Sequence, residues 1–253
     1  MISEDLRQLI LTSIPQAHIG LLLFGSHARG DATISSDIDV LMLVDEPAKS
    51  YRSGTVSVSA YTRSHLLQLA RHGSLFVRHI VDEALSVENG DSILEELRRN
   101  LRIPASYSTL RNDILASTAL LDVDAATFNK HRAGLAEAAK YISRTLLYAE
   151  LADRKLLTFN FEAAATLGDA QDLLRVPKDC NVWQHSDLKT IQSWLSARLG
   201  CIAQNTSSTL EALILNAHGR SELTVVLGLR ILGAAASSPY EDLQFAAGVH
   251  HDI

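Results

Sequence analysis

The sequence predicts an α/β (α+β) head built on a small sheet, followed by an all-α helical bundle. Three observations lead there. Residues 19–24 (Ile-Gly-Leu-Leu-Leu-Phe) and 40–44 (Val-Leu-Met-Leu-Val) are apolar runs of strand length, too short for buried helices. Residues 55–62 (Thr-Val-Ser-Val-Ser-Ala-Tyr-Thr) alternate as a third strand should, with Val56, Val58 and Ala60 toward the core and Ser57, Ser59 and Tyr61 opposite. Ile103-Pro104 then breaks the chain, because proline restricts the residue before it and cannot continue a helix. From Ser106 onward strand signals almost vanish. The expected organisation is a head over 1–102, a helical bundle over 103–236 and a polar, mobile tail over 237–253.

Taken in order, residues 3–14 fit an amphipathic helix with Ser3 as its cap and Leu6, Leu9 and Ile10 on the face that packs across the sheet. The first strand ends at Gly25, where a Gly25-Ser26 turn leaves backbone amides open to the oxygens of a polyphosphate. Ser26 adds a hydroxyl there and Arg29 a fixed positive fork. Asp37 and Asp39 open the second strand. Two apart, their carboxylates project together from one sheet edge, a donor set suited to Mg²⁺ (or Mn²⁺) beside phosphate oxygens. Residues 46–50 read as a turn. Helical spacing follows over 63–73 and from Leu75, then a short strand at 85–88 and a helix over 91–101. In the second part helices are readable at 106–121, 125–153, 161–167, 186–199, 207–217 and 222–236.

Gly25-Ser26, Arg29-Gly30 and Ser36-Asp37-Ile38-Asp39 stand at the offsets of a known signature. In these residues the chain resembles the DNA polymerase β-like nucleotidyltransferase superfamily. The resemblance implies a nucleotidyltransferase head with a small mixed sheet that moves a nucleoside monophosphate from an NTP or dNTP to a hydroxyl and releases pyrophosphate. It implies Asp37 and Asp39 as catalytic and metal-binding residues. It implies Gly25, Ser26, Arg29 and Ser36 as nucleotide-binding residues, the last two shaping the loop or reaching the triphosphate. Members with three carboxylates place the third on the next strand, where this chain has none; Ser57 is the expected occupant, Ser59 the next. A carboxylate from the second part could substitute, with Asp113, Glu137, Glu150 and Glu162 as candidates. Lys140, Tyr141 and Arg144 share a helix face and could either line a cleft or simply pack. His65, His72 and His79 recur at even spacing but span a break at Gly73, and read as surface or packing histidines. His27 falls at a position that the signature leaves free.

A head of this kind followed by helices resembles both the aminoglycoside nucleotidyltransferases and the nucleotidyltransferase partners of toxin-antitoxin and antiviral defence pairs. The Arg-then-His spacing of HEPN ribonuclease bundles is absent from 102–253. The acceptor stays open between a side chain of a partner protein, the end of a short oligonucleotide, and a polycationic antibiotic. A catalytically deficient nucleotide-binding module is the rival from another class. Tyr240 in the tail is a possible acceptor within the chain itself. A net charge of -6 argues against a protein that grips long nucleic acid through many phosphates. At 47% hydrophobic and 21% charged residues the 253-residue chain is of ordinary globular composition. It has no apolar run of membrane-spanning length and no signal-peptide start. Cys180 and Cys201 lack any ligand pattern. These features lead to the expectation of a cytoplasmic protein with free thiols, with or without oligomerisation.

Overall fold

The computed structural model describes residues 2–34 and 36–233. They form two compact units, one ending at Pro104 and one beginning at Ala105.

The first unit is a mixed five-stranded sheet with helices. Helix α1 (Glu4–Ser13) starts where the Ser3 hydroxyl accepts the Leu6 N–H. It leads into β1 (Gly20–Phe24), a short helix α2 (Gly25–Arg29) and β2 (Ile38–Val44). An edge strand β3 (Tyr51–Ser53) turns at Gly54 into β4 (Val56–Thr62). Then come α3 (Arg63–Arg71), α4 (Leu75–Glu83), β5 (Leu85–Glu88) and α5 (Asp91–Asn100). Across the sheet the strands run β3, β4, β2, β1, β5. The β2–β4 pair is parallel and the others antiparallel.

Both faces of this sheet are covered, which is why β1 and β2 read as continuous apolar runs instead of alternating ones. Ile10 and Ile14 at the α1 end pack on Leu21, Leu23, Val40, Met42, Val56 and Val58. On the other face Tyr61 stacks on Phe76 of α4 at 5.4 Å between ring centroids, and Phe24 meets the same ring edge-on at 5.9 Å. Ser57, Ser59 and Tyr61 do lie opposite the valines of β4, and this second face is buried as well. The sequence reading missed β3. Three residues are too few for any periodicity, and the strand exists through its pairing with β4.

The second unit is helical: α6 (Ser108–Ser117), α7 (Ala125–Lys130), α8 (Arg132–Asp153), α9 (Phe161–Leu167), α10 (Gln171–Leu174), α11 (His185–Leu199), α12 (Leu210–Ala217) and α13 (Glu222–Ile231). Two further turns of 3₁₀ helix span Thr118–Leu121 and Cys180–Val182. The helix expected over 125–153 divides at His131, whose φ of -120° leaves the helical region. Helix α8 is the axis of the unit and is buried on nearly every side. Gly134 lets α13 come close, since a Cβ there would stand 2.7 Å from the Ile231 Cα. No described helix is long and apolar enough to cross a membrane.

Candidate active site

The site is built where β1 gives way to α2. Gly25 holds φ at +71°, and a Cβ on it would stand 2.7 Å from Asp39 Oδ2, so both the turn and the carboxylate require glycine. The expected Gly-Ser turn is in fact the first turn of α2. No side chain caps that helix, so its leading N–H groups, with Ser26 among them, keep their hydrogen-bonding capacity. Gly30 ends the helix at φ +84°, where the N–H groups of Gly30 and Asp31 both bond to the Ser26 carbonyl.

Asp39 sits in β2 between Phe24 of β1 and Ser57 of β4. Burial raises its carboxyl to about 7, and the neighbouring Asp37 charge pushes the same way; Arg52 and Arg29 offset only part of this. Asp37 lies just ahead of β2 and is exposed, with its Oδ1 ion-paired to the Arg52 guanidinium. Ser57 is buried directly beside Asp39 in the parallel register, and Ser59 lies beside Leu41, one step further along the same face. No carboxylate therefore stands on β4 at either position.

The remaining signature residues act on the loop. Arg29 donates to Asp31 at 3.1 Å and to Glu83 of α4 at 2.7 Å. His79 Nε2 lies 2.9 Å from the same Glu83 oxygen, and its ring meets Phe24 edge-on. Arg29 is thus braced against α4. The Ser36 hydroxyl accepts the Thr33 N–H at 2.9 Å, while the Ser36 N–H bonds to the Thr33 carbonyl, closing the loop ahead of Asp37. His27 Nε2 is buried with no hydrogen-bond partner among the described residues.

The other candidates are described within their own units. Glu150 is held within the helical unit between Arg198 at 3.2 Å and Arg111 at 3.9 Å. Glu137 and Glu162 are exposed, and Asp113 belongs to α6. Lys140, Tyr141 and Arg144 do not share an open face. Tyr141 is buried in the core of the unit, Lys140 reaches over the Trp183 ring to the Lys178 carbonyl, and Arg144 lies 4.4 Å over Phe161. Of the two alternatives, packing is the one they follow: Tyr141 is in the core, and the half-buried Lys140 and Arg144 lie against aromatic rings. His65 packs on Tyr61, and His72 Nδ1 lies 2.7 Å from the Gln68 carbonyl oxygen. No group of three or more His, Cys, Asp or Glu side chains fit to hold a metal occurs among the described residues. Tyr240 lies outside the described residues.

The residue that sequence reasoning missed is Arg52. Its position depends on β3, and the only local signal was a lone arginine between a turn and a strand. As a donor set, the Asp37–Asp39 pair fits a hard divalent cation. It offers oxygen ligands, two carboxylates that repel one another, and an uncapped helix end nearby for phosphate oxygens to complete the coordination.

Comparison with known proteins agrees with this geometry. Residues 3–100 match the family model described as a nucleotidyltransferase domain. No curated protein matches the chain. Gly25, Ser26, Arg29, Asp37 and Asp39 all fall within the matched span. Residues 3–100 thus form a nucleotidyltransferase domain of the DNA polymerase β-like family, and the chain continues from it into a helical region.

Proposed function

We propose that the head transfers a nucleoside monophosphate from an NTP or dNTP to a hydroxyl acceptor, with Mg²⁺ (or Mn²⁺) held by Asp37 and Asp39. The observation that carries this reading is the carboxylate pair itself. Asp39, raised to about 7 beside Asp37, is pressed against Gly25 at the uncapped start of α2. In the reaction a bond forms between the acceptor oxygen and the α-phosphorus, the α–β bridge breaks, pyrophosphate leaves, and the hydroxyl proton passes to a base. The bound metal supplies charge neutralisation on the triphosphate and orients it. The chain's own residues do the rest. The leading amides of α2 and the Ser26 hydroxyl bind phosphate oxygens. Ser36 fixes the loop that presents Asp37, and Arg29, held by Asp31 and Glu83, ties the end of α2 to α4.

For the acceptor, a side chain of a partner protein or an oligonucleotide end in a defence or toxin-antitoxin pair is the reading adopted. A second reading is a module that binds nucleotide without turning it over. It is favoured by Ser57, which puts a hydroxyl where a third carboxylate would help to activate the acceptor.

The test is incubation with each labelled NTP and dNTP and Mg²⁺ or Mn²⁺, in the presence of cell protein, short oligonucleotides or an aminoglycoside. Label should move to protein or oligonucleotide, whereas label on the aminoglycoside would favour the antibiotic-modifying alternative, and Asp37→Asn or Asp39→Asn should lower the rate by at least about a hundredfold. Nucleotide binding without transfer in every mixture would favour the non-catalytic module. Transfer that survives both substitutions would remove the assigned roles of the two aspartates.

A further inference from the structure

The strand register places three side chains of different charge in one row. Asp39 on β2 is paired with Ser57 on β4, and Ser57 is paired with Arg52 on β3. Directly paired residues share a face of a sheet. Tyr51 and Val58, one step away, belong to the α1 side, so Asp39, Ser57 and Arg52 all face the opposite side, with Phe24 and Tyr61. From the far end of this row Arg52 reaches back to Asp37. The row therefore reads carboxylate, hydroxyl, guanidinium, and the guanidinium closes on the second carboxylate.

Fold stability does not account for this arrangement. The Arg52 and Asp37 side chains are 57% and 52% exposed, and an ion pair so solvated adds little to stability. Charge balance accounts for it better. A site with three carboxylates is neutralised by two divalent ions that clamp the attacking and leaving oxygens. Here Ser57 removes one negative charge and Arg52 adds one positive charge. The two changes together equal the charge of one divalent ion. A second ion beside Asp39 would find a neutral hydroxyl as its next ligand and a guanidinium as its neighbour, an arrangement unfavourable on both counts. Arg52 need not leave for the first ion to bind, since a carboxylate has two oxygens and the ion pair engages Oδ1.

We propose that Arg52 stands in for one of two divalent ions, so that the head binds a single divalent ion with its nucleotide and uses the Arg52 guanidinium as the second positive charge on the triphosphate. This rests on the nucleotidyltransferase reading and deepens it.

The test counts bound Mn²⁺ by electron paramagnetic resonance on the full chain, with α,β-methylene nucleoside triphosphates of each base as the probe. The wild type should take up one Mn²⁺ per chain. Arg52→Ala should still bind one ion, with nucleotide affinity lowered about tenfold, and Arg52→Lys should recover most of that loss because it restores the charge. The double variant Arg52→Ala, Ser57→Asp should take up two. Two ions in the wild type, one in a folded double variant, or unchanged nucleotide affinity in Arg52→Ala would overturn the inference while leaving metal-dependent transfer intact. No Mn²⁺ bound with nucleotide by the folded wild type would overturn the metal assignment of Asp37 and Asp39 and the inference with it. Should the double variant fail to fold, the wild-type count and the Ala–Lys comparison still decide.

Discussion

Asp39 makes the stability of the head depend on pH. An unfolded aspartate titrates near about 4, whereas the folded residue titrates at about 7, chiefly through burial and then through Asp37. Between those values the folded protein keeps a proton that the unfolded chain has released. Its stabilising contribution is therefore fully present below about 4 and is lost as pH rises through about 7. Asp39→Asn carries no charge at any pH. In the absence of metal the variant is expected to exceed the wild type in stability at pH 8, by on the order of 1–3 kcal/mol, with the gap closing toward pH 5. Urea melts at the two pH values check this. Added Mg²⁺ should stabilise the wild type at pH 8 and leave the variant unmoved. At this scale the sequence was informative about position, because Gly25, Ser26, Asp37 and Asp39 stand at fixed offsets, and alternation put Ser57 and Ser59 on one face while the resemblance singled out Ser57, which the register pairs with Asp39. It could not show that Arg29 is braced by Glu83, or that Arg52 meets Asp37. Those contacts join residues 54 positions apart in the first case and depend on strand pairing in the second.

At the scale of elements, legibility followed length and periodicity. Helices α5, α9 and α11 and strand β5 lie where the apolar spacing put them, within a residue or two. The three-residue strand β3 and the four-residue helix α10 carry no periodic signal and were missed. Helix α8 left two readings open, a cleft lining or simple packing. Its polar stripe is narrow, and Tyr141 falls beside it in the core while Lys140 and Arg144 lie against aromatic rings, so the three residues pack and do not line a cleft. The close approach of α8 and α13 gives a direct check. Gly134→Ala would gain about 1 kcal/mol of helix propensity on an exposed helix, yet here the added methyl would meet the Ile231 backbone at 2.7 Å. Because backbone cannot swing aside like a side chain, the substitution is expected to destabilise the protein by about 1–3 kcal/mol, read as a lowered melting temperature. A neutral or stabilising result would mean that the two helices can separate at little cost.

For the molecule as a whole, binding should show as stabilisation. Nucleotide with Mg²⁺ at a hundredfold excess over its dissociation constant should add about 2.7 kcal/mol to the unit that binds it. That corresponds to a rise of roughly 10–20 °C in the melting transition of the unit ending at Pro104. Asp37→Asn should abolish most of the rise, and a shift that persists in that variant would place the binding site elsewhere. The net charge of -6 belongs to this scale also. It fits a small, locally neutralised anion site better than a groove for long nucleic acid. The two-part plan was legible because Pro104 and the loss of strand signals coincide in sequence with the change from sheet to helices. The sheet tapers toward its margins, with four residues in β5 at one edge and three in β3 at the other. A copy of the chain approaching either margin would find too few open backbone groups to extend the ladder. Self-association by this protein is thus steered away from continuous sheets and toward contacts between side chains, and the short strand that carries Arg52 also guards the sheet against edge-to-edge aggregation.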